Sequence, residues 1–217
     1  MEDTNDKFPI SGKWMLAILL FIISMLIFSV ISEEVVIEKE DWFDKKVFDY
    51  LHTYTSTTTV NVFNFFTFFG SSTFIFPAYI ILILLLVYKN RKPDAIDVGI
   101  LGITSTMLLY ILKALFGRAR PDFSLMRHIN GYSFPSGHTL SSFVFFSVLI
   151  VEVWKFKMDK KWKIGLTILF AFLSLAVALS RIFLRYHFAS DVVAGISLGI
   201  AYVLLFFWLR MKWSKTQ

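Results

Sequence analysis

Six apolar runs, several of them reaching the ~17–25 residues that cross a bilayer as a helix, follow one another along the chain and leave it little choice of architecture. They fall at about 14–32, 72–88, 98–116, 139–154, 164–183 and 191–209. The expected fold is therefore all-α: a six-span integral membrane bundle, one domain over residues 1–217, with an amphipathic helical segment outside the bilayer. Composition agrees, since 56% of the residues are hydrophobic and 25 are Phe, too apolar for an ordinary soluble domain. The first run is long and has no clear small-residue cleavage site after it, so it is expected to remain as a span.

The charges sort by loop. Short, strongly basic connections stand at 89–92 (Lys89, Arg91, Lys92) and 155–163 (Lys155, Lys157, Lys160, Lys161, Lys163), and Arg210, Lys212 and Lys215 close the chain. The 33–49 stretch is net acidic, with Glu33, Glu34, Glu38, Glu40, Asp41, Asp44 and Asp49 against Lys39, Lys45 and Lys46. Basic loops stay on the cytoplasmic side, so both termini are expected there, and the loops at 33–60, 117–138 and 184–190 outside. The formal net charge of +6 thus reads as membrane topology, and no nucleic-acid partner is expected. The absence of cysteine excludes disulfides, thiolate zinc sites and a cysteine nucleophile.

Within the acidic stretch Phe43, Val47, Tyr50, Leu51 and Tyr54 recur at helical spacing. A helix lying at the membrane surface is one reading and a packing arm is the other, with His52 as a surface residue. Residues 60–69 are aromatic-rich and end at Gly70-Ser71-Ser72, where the second span begins.

Lys113, Arg120, His138, Arg181, His187 and Asp191 all fall at or just beyond span ends on the side expected to lie outside. A basic group within a span costs about 2.5–3.5 kcal/mol on insertion scales, so Lys113 and Arg181 demand a reason. Snorkelling of long stems explains one such residue better than two converging with two histidines. In Phe134-Pro135-Ser136-Gly137-His138 a tight turn precedes an apolar run, which puts His138 at a helix N-terminus, where orphan N–H groups and the helix dipole suit an anion. His187 and Asp191, four apart, share a helix face; the carboxylate can accept from one imidazole nitrogen and leave the other as nucleophile or base. Zinc is the rival use of two histidines and a carboxylate, but three converging cations oppose binding another cation.

Together these residues form an ordered pattern: K-x6-R-P from Lys113 through Arg120 and Pro121, P-S-G-H from Pro135 to His138, and S-R-x5-H-x3-D from Ser180 and Arg181 through His187 to Asp191. The pattern resembles that of the type 2 phosphatidic acid phosphatases, with the motif core at 113–191 and a six-span layout like that family's membrane branch. The soluble vanadium-dependent haloperoxidases share the motifs but not the hydrophobicity. No family motif falls in 33–69, where specificity is expected to vary. The resemblance implies a lipid phosphatase in which Lys113, Arg120 and Arg181 clamp phosphate oxygens while Ser136 and Gly137 complete the cradle. His187 would attack phosphorus, Asp191 orient it, and His138 protonate the leaving oxygen. No cofactor is expected, because the three cations already neutralise the transferring group. The expected partner is a lipid phosphate drawn sideways from the bilayer.

The motifs read only the phosphate, so phosphatidylglycerophosphate, phosphatidic acid and undecaprenyl pyrophosphate all remain open, as does transfer to an acceptor other than water. An anion transporter or an inactive lipid-binding protein is the non-hydrolytic alternative. Arg118, Asp122, Arg127 and His128 read as solvated loop charges, Arg185 and Tyr186 as positioning His187, and Glu152 as reaching the interface or pairing with a loop lysine.

Overall fold

The computed structural model describes residues 12–37, 41–122, 124–125 and 130–214. In hydrocarbon a backbone polar group has no water to bond, so each apolar run must close its hydrogen bonds on itself. Among the described residues the elements are all helices: α1 (Gly12–Ser32, extended by a π-helical turn at Glu33–Ile37), α2 (Trp42–His52), α3 (Thr57–Phe68), α4 (Ser72–Tyr88), α5 (Lys92–Phe116), α6 (Gly137–Lys155), α7 (Lys160–Phe183) and α8 (Ala189–Ser214). Among the described residues six stretches are long and apolar enough to cross a membrane, and the chain is a multi-pass membrane protein. Large apolar side chains point outward along the spans, among them Leu19 and Leu26 on α1, Ile103 on α5 and Ile168 on α7. Lipid is the solvent that face requires.

α6 is the central helix. It packs against α5, α7 and α8, while α1 lies along α8 and α3 along α7. Gly195 and Gly199 on α8 allow α6 to come close: a Cβ at Gly199 would lie 2.7 Å from Phe143 of α6, and one at Gly195 would lie 3.1 Å from the Ser136 carbonyl. Such a G-x3-G pair lets two backbones meet where lipid supplies no hydrophobic drive. It brings the start of α6 against the start of α8.

The expected second helix is present as α4, from Ser72 to Tyr88. A further helix, α3, precedes it across a break at 69–71, so that the apolar stretch as a whole covers Thr57–Tyr88. Ser56 starts α3 with a reciprocal capping box to Thr59. α3 then lies along α7 through a Phe63–Phe183 stack with ring centroids 4.2 Å apart. The helix expected in 33–69 is present as α2, but of the five residues read from the apolar spacing only Val47 and Leu51 belong to its inward stripe. Val47, Phe48 and Leu51 pack on the bundle around Ala178 and Val192, whereas Phe43, Tyr50 and Tyr54 are exposed. Asp44, at the head of that inward stripe, is buried.

Two devices set up the loop between α5 and α6. Gly117, in the left-handed region at φ 62°, donates its N–H to the Lys113 carbonyl and turns the chain sharply out of α5. Phe134 is fully buried against Phe28 and Phe116, which anchors the loop's far end to α1 and α5. At the opposite end of the bundle Arg91 and Lys155 each pair with both Asp94 and Glu152, and Arg210 pairs with Asp97. Glu152 is thus an ion-pair partner, as its position beside the basic loop suggested.

Replacing Gly199 by Val should force α6 and α8 apart and lower stability by about 1–3 kcal/mol, the usual cost of overpacking. Thermal unfolding in detergent measures it; an unchanged Tm would mean that the two helices do not need this contact.

Candidate active site

The site is built where α5, α7 and α8 end or begin on one side of the bundle. After α7 the chain folds back on itself: the Tyr186 and His187 amides both donate to the Arg181 carbonyl, at 3.0 and 3.2 Å, with Arg185 at φ 55° making the turn. This holds His187 beside Arg181. Asp191 lies in the first turn of α8, where an anion is favoured, and its Oδ2 accepts from the Phe188 amide at 3.0 Å. Both His187 and Asp191 are buried.

The hydrogen bonds settle the histidine's tautomer. Arg120 Nη1 lies 3.2 Å from His187 Nε2, and a guanidinium can only donate, so Nε2 carries the lone pair. The ring proton is then on Nδ1, which donates to Asp191 Oδ2 at 3.3 Å. Burial pushes the His187 pKa down to about 3, against the pull of Asp191 and with Arg181 and Arg120 assisting. The imidazole is therefore neutral at pH 7, with a bare nitrogen directed at a cation. An unfolded histidine takes its proton near pH 6.5. The resulting stability is full above that pH and is lost as pH falls toward about 3.

Around this nitrogen stand the cations. Arg120 also donates Nη1 to the Tyr186 carbonyl at 2.8 Å and Nε to the Gly131 carbonyl at 3.0 Å; burial lowers its pKa, with Asp191 opposing. Lys113 Nζ donates to the carbonyls of Tyr132 (2.6 Å) and Ser133 (3.2 Å). Arg181 is buried, donates to Thr67 Oγ1 of α3 at 2.5 Å and lies over the Tyr186 ring. His138 is the second residue of α6, within electrostatic reach of Arg181, His187, Arg120 and Lys113. Gly70 packs against it so closely that a Cβ there would sit 3.2 Å from the His138 Cβ. Lys113, Arg120, His138, Arg181, His187 and Asp191 are thus gathered at one site.

Ser136 departs in part from the expected cradle. Its amide donates to the Asp191 carbonyl at 3.1 Å, and its hydroxyl accepts from Thr139 at 2.9 Å. That amide is committed to joining α6 to α8, so the cradle is left to the Ser136 hydroxyl hydrogen and the first-turn amides of Gly137 and His138, which have no carbonyl four residues back within the helix.

Three further residues join the site that the motifs did not single out. The Ser133 hydroxyl donates to Asp191 Oδ2 and lies 3.3 Å from His187 Nδ1. Arg118, expected to be a solvated loop charge, is instead nearly buried: Nη1 reaches Asp191 Oδ1 at 2.6 Å and Nη2 reaches Asp44 Oδ2 at 2.8 Å. Asp44 in turn accepts from the Ser190 amide and hydroxyl at 2.9 and 2.6 Å. One signal was available for Asp44, since it stands one turn before Val47 and Phe48 on the face that packs inward. Asp122 is exposed, as is His52, and Arg127 and His128 lie outside the described residues. Among the described residues no group of three or more His, Cys, Asp or Glu is arranged to hold a metal ion.

Comparison with known proteins matches residues 95–215 to the PAP2 superfamily. The chain is 30% identical over 145 residues to a phosphatidylglycerophosphatase B of Bacillus subtilis, covering 66% of this chain and 70% of that protein. It is 28% identical over 145 residues to a lipid A 1-phosphatase of Rhizobium johnstonii, covering 56% of this chain and 52% of the relative. The fold is similar to the crystal structure of a transmembrane PAP2 type phosphatidylglycerolphosphate phosphatase from Bacillus subtilis, with a TM-score of 0.77 at 24% identity over 90% of this chain and 96% of the other.

The geometry predicts a ¹⁵N NMR spectrum for histidine-labelled protein. The His187 ring, assigned by its loss in His187→Gln, should be neutral, protonated on Nδ1 and bare on Nε2, both at pH 7 and at about pH 5. An imidazolium spectrum at the lower pH would contradict it.

Proposed function

The chain belongs to the PAP2 superfamily, and we propose that this lipid phosphate phosphatase cleaves the terminal phosphate of phosphatidylglycerophosphate through a phosphohistidine on His187, from the extracytoplasmic face of the membrane. The observation that carries the reading is the His187 ring itself: Nδ1 tied to Asp191, Nε2 bare, and a cation within 3.2 Å of the lone pair. A nucleophile needs that tautomer, and an anionic substrate needs that charge. The substrate choice rests on the name of the relative matched over 70% of its length. The outward orientation rests on the basic loops gathered at the end of the bundle away from the site.

The phosphate monoester enters from lipid with its chains left in the bilayer, and its non-bridging oxygens meet Lys113, Arg120 and Arg181. The His187 Nε2 lone pair forms the N–P bond as the ester P–O bond breaks. The electron pair of that bond goes to the departing oxygen, which takes a proton from His138, protonated in the substrate complex where the phosphate dianion offsets the surrounding cations. Positive charge spread over the imidazole is held by Asp191. In the second half a water oxygen attacks phosphorus, its proton passes to His138, and the N–P electrons return to Nε2. General acid–base help of this kind contributes roughly 10²–10⁴-fold. Arg120 must leave the lone pair as substrate arrives, and a phosphate oxygen is the better acceptor because the bond becomes charge-assisted.

The test is phosphate release in detergent, with EDTA present, from phosphatidylglycerophosphate, phosphatidic acid and undecaprenyl pyrophosphate side by side. Phosphatidylglycerophosphate should be preferred, and acid-labile, alkali-stable phosphate should be trapped on His187 in the purified protein. His187→Ala should lose at least about 10³-fold in turnover with substrate binding retained. Turnover surviving in His187→Ala, or dependence on an added divalent cation, would overturn the mechanism. A preference for the polyprenyl substrate would overturn the assignment of the lipid.

A further inference from the structure

We propose that Asp44, on α2, is a positioning residue for the reaction, acting through Arg118 to sustain the charge of Asp191 behind His187. The proposal rests on the reading of His187 as the phosphoryl acceptor, and it extends the site into a part of the chain outside the 95–215 region that defines the family match.

The geometry is a relay of alternating charge. Asp44 is 1% exposed, Arg118 joins it to Asp191 through its two terminal nitrogens, and the guanidinium lies over the Phe188 ring, 4.1 Å from its centroid. An arginine placed on Asp191 alone would have an adverse effect. It would draw the carboxylate's charge toward Oδ1 and leave Oδ2 a weaker acceptor for the His187 Nδ1 proton. Asp44 corrects this by taking half of the guanidinium. Asp44, Arg118 and Asp191 together carry one net negative charge, which is what the imidazole needs when phosphorylation makes it cationic. Without Asp44 the group behind His187 would be neutral.

The placement of Asp44 is specified beyond the ion pair. The Ser190 amide and hydroxyl both bond it, so the carboxylate of α2 is fixed to the first turn of α8 one residue before Asp191. Val47, Phe48 and Leu51 hold α2 down beside it. A purely structural ion pair could join α2 to the bundle without touching the dyad. Here the second guanidinium nitrogen ends on the carboxylate that orients the nucleophile.

A double-substitution cycle in the full-length protein tests it. Asp44→Asn removes one charge with little change in shape and should lower kcat by about 10- to 100-fold, the range for one charge-assisted contact in a buried site, with KM little changed. Arg118→Gln should also be slow, because Asp44 and Asp191 then stand as unshielded like charges. Combining Asp44→Asn with Arg118→Gln restores the single net negative charge and should turn over faster than Asp44→Asn alone. In ¹⁵N-labelled Asp44→Asn the His187 Nδ1 proton should move upfield as its acceptor weakens. Losses that simply multiply in the double variant, or an Asp44→Asn enzyme within about twofold of the parent with an unmoved His187 resonance, would overturn the proposal. Should Asp44→Asn fail to fold, the double variant, which buries no unpaired charge on α2, carries the comparison with Arg118→Gln: recovery supports the proposal and its absence refutes it. If phosphate is not trapped on His187 in the parent, the functional reading fails separately, and the resonance shift still reports whether Asp44 reaches the ring.

Discussion

The Asp191 carboxylate is a full charge buried inside a membrane protein, and the arrangement around it follows from the need to satisfy it. A buried ion left without partners costs several kcal/mol, and losing one partner of a buried pair costs about 3–5 kcal/mol. Asp191 meets this with donors from four directions: the Phe188 amide, the Ser133 hydroxyl, His187 Nδ1 and Arg118. Its own backbone carbonyl accepts from Ser136. These donors come two from the α5–α6 loop and two from the α7–α8 turn, and the backbone carbonyl adds the start of α6, so satisfying this one residue brings three segments together.

Close helix packing makes that shell possible. Ser136 can bond Asp191 only because Gly195 leaves no side chain between α6 and α8 at that level. The same contact holds His138, two residues further along α6, at a fixed distance from the start of α8. Placement at the site therefore depends on glycines along α8 that carry no side chain into it, and on the Phe134 anchor, which fixes where the loop ends and the helix begins. The α3–α4 break belongs to the same set, since Gly70 sits against both Val177 and His138 where any side chain would push the histidine away.

How much of this was legible in the sequence depended on whether a residue's task left a local mark. The spans did, because membrane length and hydropathy are properties of contiguous residues, and the helix limits differ from expectation by a few residues only. The site candidates did too: Lys113 and Arg181 are cations within apolar runs, and His138, His187 and Asp191 stand in ordered motifs at the span ends. Arg118 left no such mark. In a polar loop an arginine looks the same whether it is solvated or buried between two carboxylates, and only tertiary distance separates the two. Ser133 is a small hydroxyl in a loop and is silent for the same reason. The break at 69–71 was partly readable in Gly70-Ser71-Ser72, yet whether the preceding aromatic stretch crosses the membrane depends on α7 being there to receive Phe63.

Arg118 and Arg120 are two residues apart and have opposite partners, and the difference explains how a site can be both stable and reactive. Arg118 ends on two carboxylates, so its charge is spent within the protein. Arg120 ends on the carbonyls of Gly131 and Tyr186 and on the His187 lone pair, and Lys113 ends on the carbonyls of Tyr132 and Ser133. Carbonyl oxygens orient a cation without cancelling its charge. The resting site therefore keeps an unneutralised positive field, and on the proposed reading a dianionic phosphate would replace weak neutral acceptors with strong charged ones at little reorganisation cost. Had Arg120 been paired as Arg118 is, the substrate would first have to break a buried ion pair. Had Arg118 been paired as Arg120 is, Asp191 would lack its counter-charge. The sequence places both residues within the α5–α6 loop, and α2, by bringing Asp44 to only one of them, separates their roles.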